Sequence, residues 1–339
     1  GPSFATSLTT DSIAQGYVHT YGELYGLRFT ADYTQGGYKV VGNEARNASR
    51  FEFQTLNAQL EYAWNVADWL TLRPGVSYRN SRISSPLLGS EVYEEGEGYV
   101  EADGDKVNDL VSGALQADFR WKGLRVLLAG RLDKYRVPDR LKVAPQGIIT
   151  YRFNDKHLVR ASYAYSYRSP FHLNYFSDLV SPSSGGGVGS ILQGDSSLAL
   201  QQQHQVELGW RWAFAKGWSL DVNASVAQLD QFNAQVTQGI TSIDSDLFLN
   251  LGFLDTDARA RQALFTASVM GVPSEKLSIR LFATGQYTQV DDYPIYDFAN
   301  LISGSAEPDT IVNFEDESTP LAWGGLEVYY RPVEWLGID

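Results

Sequence analysis

Eight consecutive residues, Phe171-His172-Leu173-Asn174-Tyr175-Phe176-Ser177-Asp178, bring three aromatic rings, an imidazole, an amide, a hydroxyl and a carboxylate into one short stretch after Pro170. Rings offer contact area at low entropic cost, and loops held on a rigid scaffold commonly carry recognition. Phe171, Asn174, Tyr175, Phe176 and Asp178 are therefore the candidate ligand contacts. The plainer reading of the same residues is packing against a neighbouring loop. Ser169, His172 and Asp178 are also the one set from which a nucleophile, a base and a carboxylate could be assembled. The four histidines, His19, His157, His172 and His204, have no metal-ligand spacing, and no HExxH, GxSxG or Walker pattern occurs. Without cysteine there is no thiolate metal site and no cysteine nucleophile. The chain reads as a non-enzyme.

Carboxylates gather in three places. Ser84 to Lys106, Gln231 to Asp257 and Asp291 to Ser318 hold 7, 4 and 8 of them, so 19 of the 40 Asp and Glu lie in stretches that read as loops. Asp244 with Asp246, Asp291 with Asp292, and the run from Glu91 to Asp105 could supply oxygens to Ca²⁺, although solvated loop charge is the plainer and preferred account. No other cofactor is indicated. Asn47-Ala-Ser49 and Asn223-Ala-Ser225 match the glycosylation pattern, and both read as chance. A net charge of −13 argues against nucleic acid, whose phosphates such a surface would repel.

The elements that must hold these residues are strands. From His157, Val159, Ala161, Tyr163, Tyr165 and Tyr167 fall on one parity, while Arg160, Ser162, Ala164, Ser166 and Arg168 fall on the other. That is the period of a two-faced strand. The pattern returns over Ile13 to Tyr21, Leu27 to Tyr33, Leu56 to Trp64, Leu70 to Tyr78, Val111 to Trp121, Leu124 to Leu132, Val206 to Trp212, Trp218 to Val226, Gln262 to Gly271, Leu277 to Val290 and Leu321 to Arg331. Phe51 and Phe53 break parity, which predicts a bulge or a later strand start. About 13 antiparallel strands are expected, many of the length that a tilted bilayer crossing requires.

Connections alternate short, near residues 23, 66, 122, 155, 216 and 274, and long, over 35–50, 84–106, 169–202, 231–258 and 291–318. The loop near Pro138 is the exception. Trp64, Trp69, Trp121, Trp212, Trp218 and Trp335 stand beside short turns, as an interfacial aromatic girdle would. With polar residues too abundant on one parity for a dry core, this is the layout of an all-β transmembrane up-and-down barrel. Arg73, Arg79, Arg160 and Arg168 then face the lumen. An odd number of antiparallel strands does not close such a barrel, so the sequence reads as a middle section, a single partial barrel domain over residues 1–339.

Arg131-Leu-Asp-Lys-Tyr135, Ala144-Pro-Gln-Gly147 leading into Tyr151-Arg-Phe153, Leu158-Val-Arg-Ala-Ser-Tyr163, Tyr167-Arg-Ser-Pro170 and Gln205-Val-Glu-Leu-Gly209 together resemble the central barrel segment of TonB-dependent outer-membrane receptors. That family's lead-in to the Glu-Leu-Gly strand is represented only by Gly194-Asp-Ser-Ser-Leu198. The resemblance implies a multi-pass bacterial outer-membrane barrel of about 22 strands around a plug that is not part of this sequence. It further implies import of a scarce nutrient, such as a metal chelate, cobalamin, a glycan or a peptide. Its partners would be TonB with the inner-membrane energising complex, membrane lipids and, in some receptors, a surface lipoprotein, and the four arginines would face the plug. The other reading is a structural or translocon-associated barrel that transports nothing itself.

Overall fold

The structure is a computed structural model that describes residues 9–41, 49–84, 91–94, 98–101, 105–181, 188–243, 246–295, 310–333 and 336–338. It begins with β1 (Thr9–Leu24), β2 (Leu27–Val41), β3 (Ser49–Tyr62), β4 (Trp64–Ala67) and β5 (Leu70–Ser84). A separate hairpin follows, β6 (Glu91–Glu94) with β7 (Gly98–Glu101). Next come β8 (Asp105–Trp121), β9 (Leu124–Tyr135), β10 (Arg140–Arg152), β11 (His157–Arg168), the short helix α1 (His172–Phe176), β12 (Asp178–Ser181) and β13 (Gly189–Gln193). β14 (Gln201–Ala215), β15 (Trp218–Asp230), β16 (Asn233–Ile243), β17 (Asp246–Asp255), β18 (Arg259–Ser274) and β19 (Leu277–Ile295) lead to β20 (Thr310–Glu315), β21 (Ala322–Val333) and β22 (Leu336–Ile338).

Sixteen of these strands form one sheet in the order β1-β2-β3-β5-β8-β9-β10-β11-β14-β15-β18-β19-β21-β22, with β4 beside β5 and β20 beside β19. Strand order follows the chain, and every pairing within this wall is antiparallel. Among the described residues β1 pairs only β2 and β22 pairs only β21, so the wall is open.

Parity is kept from strand to strand. Leu72, Ala117, Leu128, Gly147, Tyr163, Val206, Val226, Ala263 and Tyr287 stand directly opposite one another in succession, making one unbroken apolar row. One position further along, Arg73, Gln116, Ala129, Gln146, Ala164, Gln205, Ala227, Gln262 and Thr288 make a polar row in the same register. From Gln116 to Gln262, long polar side chains alternate there with alanine, which gives them lateral room. A one-residue slip in any ladder would interrupt both rows, so the alternation fixes the register. Two-residue turns help: Tyr25 and Gly26 have φ of 50° and 83°, and Lys122 has 51°, the left-handed geometry of tight hairpins.

Several expectations are corrected. The stretches 169–202 and 231–258 are not plain loops: they contribute β12, β13, β16 and β17 to a second sheet, ordered β12-β13-β17-β16, in which β13 and β17 run parallel. Their apolar residues, Phe248 and Phe253 among them, are buried there, which drives the pairing. β19 continues past Val290 to Ile295 and pairs with β20, drawn from a stretch expected to be loop. No bulge occurs at Phe51 and Phe53, because β3 pairs in continuous register with β2. Phe53 stands on the polar face opposite Gly36, where its ring occupies the space that a side chain would fill. Trp335 lies outside the described residues.

The two rows make a direct test. Leu208→Arg places a cation on the apolar face and should cost roughly 2–4 kcal/mol near the bilayer midplane, whereas Gln205→Arg, flanked by Ala164 and Ala227, should cost less than about 1 kcal/mol. Equal costs in equilibrium refolding into lipid vesicles would contradict the assignment of faces.

Candidate functional site

On the polar face of the wall, at its long-loop end, lies a concavity of about 560 Å³. Asp32, Asn57, Arg79, Arg131, Tyr135, Tyr167, Arg168 and Ser169 are among its lining residues. Three strands, β5, β9 and β11, bring the cations together. Arg79 Nε donates to Asn57 Oδ1 across the β3–β5 ladder at 2.8 Å, which orients the guanidinium without neutralising it. Arg131 is held by the fully buried Asp133, its Nε 2.9 Å from the carboxylate. The Arg168 guanidinium lies 4.8 Å from the Phe171 ring centroid, a cation–π contact that leaves its hydrogen-bond donors available.

Arg73 lines a neighbouring concavity of about 470 Å³ together with Gln116, Arg131, Gln146 and Tyr165. Arg160 sits apart. It pairs with Glu207, donates to Asn223 Oδ1 at 3.2 Å, and shares a third concavity with Arg211, Asp221 and Arg280. Of the four arginines singled out in the sequence, Arg79 and Arg168 therefore meet in one site, Arg73 adjoins it, and Arg160 is charge-compensated elsewhere.

Sequence reasoning missed Arg131, Tyr135 and Asp32, although all three share the parity of known polar neighbours. Tyr167, which alternation puts on the parity of Tyr163 and Tyr165, also reaches this hollow. The β10–β11 ladder ends at Gln146 opposite Ala164, so beyond that point β11 has lost one neighbour. There Tyr165 and Tyr167 line the polar concavities, and Lys142 Nζ lies 5.0 Å from the Tyr167 ring.

A cap covers the long-loop end beside this concavity. Tyr175, Leu198 and Phe253 are its buried centre, with Val137, Phe176 and Leu192 packed around them. Tyr175 is 3% exposed, so it is a core residue of the cap and not an open contact; burial pushes its phenol pKa up. Phe171 is 64% exposed, and Asn174, half-buried, accepts Asp195 N at its backbone oxygen at 2.8 Å. Asp178 opens β12 opposite Gln193. Asp255 ties the two halves of the cap together: its carboxylate accepts from Ala199 N at 2.9 Å and from Asn233 Nδ2 at 2.6 Å.

The serine–histidine combination is not assembled. Ser169 Oγ and His172 Nε2 are both buried with no hydrogen-bond partner among the described residues, so the serine has no base. Asp291 is committed to Arg261, 3.2 Å away, and to Gln289 Nε2 at 2.8 Å, while Asp292 N donates to Asn313. Asp244 lies outside the described residues, and Asp246 is described only by its backbone pairing with Ile243. Among the described residues no three His, Asp or Glu side chains are grouped as a metal site would need.

The model of the family described as "TonB dependent receptor-like, beta-barrel" matches residues 2–306. This chain belongs to that family. Comparison with curated proteins gives no match. Among solved structures, the siderophore receptor PirA from Acinetobacter baumannii is 13% identical, with TM-score 0.61, over 95% of this chain and 56% of its own. The ferric enterobactin receptor PfeA from Pseudomonas aeruginosa is likewise 13% identical, with TM-score 0.58, over 95% and 54%. The outer membrane transporter YddB from Escherichia coli is 11% identical, with TM-score 0.60, over 94% and 48%. The receptor chain thus spans about half the length of the solved receptors it matches, and at these identities the likeness shows the fold. The wall is that of an outer-membrane β-barrel, its apolar rows toward lipid and its polar rows toward the lumen.

Two measurements test the cap. Gly194 has the backbone of Tyr175 and Phe176 within 2.6 Å of where a Cβ would stand, so Gly194→Ala should destabilise the cap by about 1–3 kcal/mol, read as faster amide exchange in β12 and β13. Burial lowers the His172 pKa, so the unfolded segment takes up a proton first as pH falls below the ordinary histidine value. The stability this residue contributes is present above about pH 6.5 and declines below it. Protection factors of the cap amides, corrected for the intrinsic slowing of exchange at lower pH, should fall between pH 7 and 5.5, and His172→Phe should remove that dependence.

Proposed function

We propose that this receptor binds a scarce nutrient in the lumen concavity beneath the cap and imports it, with TonB and its inner-membrane complex supplying the energy. The observation that carries this reading is the convergence of Arg79, Arg131 and Arg168 with the phenols of Tyr135 and Tyr167 on one polar hollow at the long-loop rim. Guanidinium groups recognise anionic oxygens in fixed, often paired geometry, and phenols add donors on flat, rigid surfaces. A compact, oxygen-rich anion suits this set, which puts a metal chelate ahead of cobalamin, a glycan or a peptide. That two of the solved receptors are described as receptors for a siderophore and for ferric enterobactin supports the same choice.

Phe171 stands exposed at the entrance with Arg168 against its ring, so a ligand arriving from the loops would meet an aromatic face and then a cation. Arg73, further along the polar face, and Arg160, paired with Glu207, are assigned to the plug-facing lumen.

Binding of a ferric chelate to the full-length receptor should weaken by about tenfold for Arg79→Ala or Arg168→Ala, the loss of one charged hydrogen bond. Phe171→Ala should weaken it less, and Arg160→Ala should leave it near the parent value. Wild-type affinity in the Arg79→Ala, Arg168→Ala double variant, with the barrel folded, would dismiss the concavity as the ligand site.

A further inference from the structure

The short turns of the wall are joined into a rim. Gly123 O accepts from Arg152 N at 2.9 Å, Lys156 O from Ala213 N at 2.8 Å, and Gly217 O from Val272 N at 2.7 Å. Each turn's carbonyl is thereby bonded to the next strand, so these backbones are held in line, and successive turns stand two strand spacings, about 10 Å, apart. All three turns carry a lysine: Lys122 between β8 and β9, Lys156 between β10 and β11, and Lys216 between β14 and β15.

Beside each lysine the apolar face presents rings. Lys122 Nζ lies 5.0 Å from the centroid of Trp121. His157, next to Lys156, stacks on both Trp210 and Trp212 at 5.9 Å. Phe214 and Trp218 flank Lys216, their rings 6.3 Å apart. The carboxylates nearby on the polar face are already held, Asp118 by Arg120 and Arg125 and Asp221 by Arg211. Asp155, at the tip of its own turn, is the acid on this part of the rim.

We infer that the rim from β8 to β15 is a binding strip for anionic phospholipid in the leaflet at the short turns. The lysine ammonium groups take the headgroup phosphates, and the rings pack against the glycerol and the first methylenes. Two features select a lipid over an acidic protein. The Lys122 cation lies over a ring of the lipid-facing side, and all three ring groups continue directly into the apolar rows that contact the bilayer. Lysines on turns about 10 Å apart, comparable to the Debye length at about 0.1 M salt, add their potentials at a charged surface. This inference depends on the membrane fold and not on the nutrient reading.

The test uses the full-length receptor in nanodiscs of phosphatidylcholine with a minor fraction of phosphatidylglycerol, followed by native mass spectrometry of the lipids retained on extraction. The parent protein should retain phosphatidylglycerol preferentially. The combined Lys122→Gln, Lys156→Gln, Lys216→Gln variant should lose that preference by at least about fivefold, with phosphatidylcholine retention unchanged, while a Lys134→Gln, Lys142→Gln control at the opposite rim should keep it. Heat-modifiable gel mobility establishes that each barrel is folded. Parental phosphatidylglycerol retention in the triple variant, or an equal loss in the control, would overturn the inference. So would unchanged lipid retention accompanied by loss of an acidic protein partner.

Discussion

Everything in this receptor depends on pairing backbone amides and carbonyls where no water can satisfy them. Hydrocarbon makes an unpaired peptide group cost several kcal/mol, so a chain crossing a bilayer as strands must bond each one to a neighbour along its full length. The wall meets that demand by plain succession, each long strand antiparallel to the one before it. The constraint continues past the strands. At each short turn a carbonyl is bonded to the next strand's amide, as between Gly123 and Arg152, which is why the rim is ordered enough to present lysines and rings at one level.

Once register is fixed by the ladders, the side chains have no freedom to choose a face. Apolar residues collect on one side in unbroken rows, and the polar residues collect on the other, where they pair across strands: Arg211 with Asp221, Arg280 with Glu327, Arg160 with Glu207. Partly solvated pairs of this kind contribute little stability individually. Their significance lies in which cations they leave uncompensated. Arg160 is spoken for, whereas Arg79 and Arg168 face a polar hollow with their donors directed by an amide and by a ring.

The packed interior of the described structure is in the cap, not in the wall. Tyr175, Leu198, Leu200, Phe248, Phe253 and Ala258 are buried there, in segments separated by long stretches of chain. The parallel pairing of β13 with β17 joins two segments that each follow a wall strand, so the segment bearing Phe171 and Asn174 is braced by residues some sixty positions away, as in the Ala199–Asp255 bond. Apolar burial holds this cap, and the wall beneath fixes where it sits.

The sequence alone determined the wall, because a period-2 alternation repeated over long strands has one physical solution when one face is oily and the other charged, and the short turns at Lys122-Gly123 and Lys216-Gly217 are local chemistry. The family was legible too, in the ordered motifs from Arg131 to Gly209. What the sequence could not determine was anything set by contacts between distant segments. Tyr175 looked like an exposed ring because nothing local reveals that Leu198 and Phe253 enclose it. Tyr167 borders the hollow where β11 has lost its β10 partner beyond Ala164, an event in the ladder and not in the residue. Arg131 entered the site, and Arg160 left it, according to which strands stand side by side. Alternation tells each residue which side it faces, but only the assembled sheet decides which residues meet there.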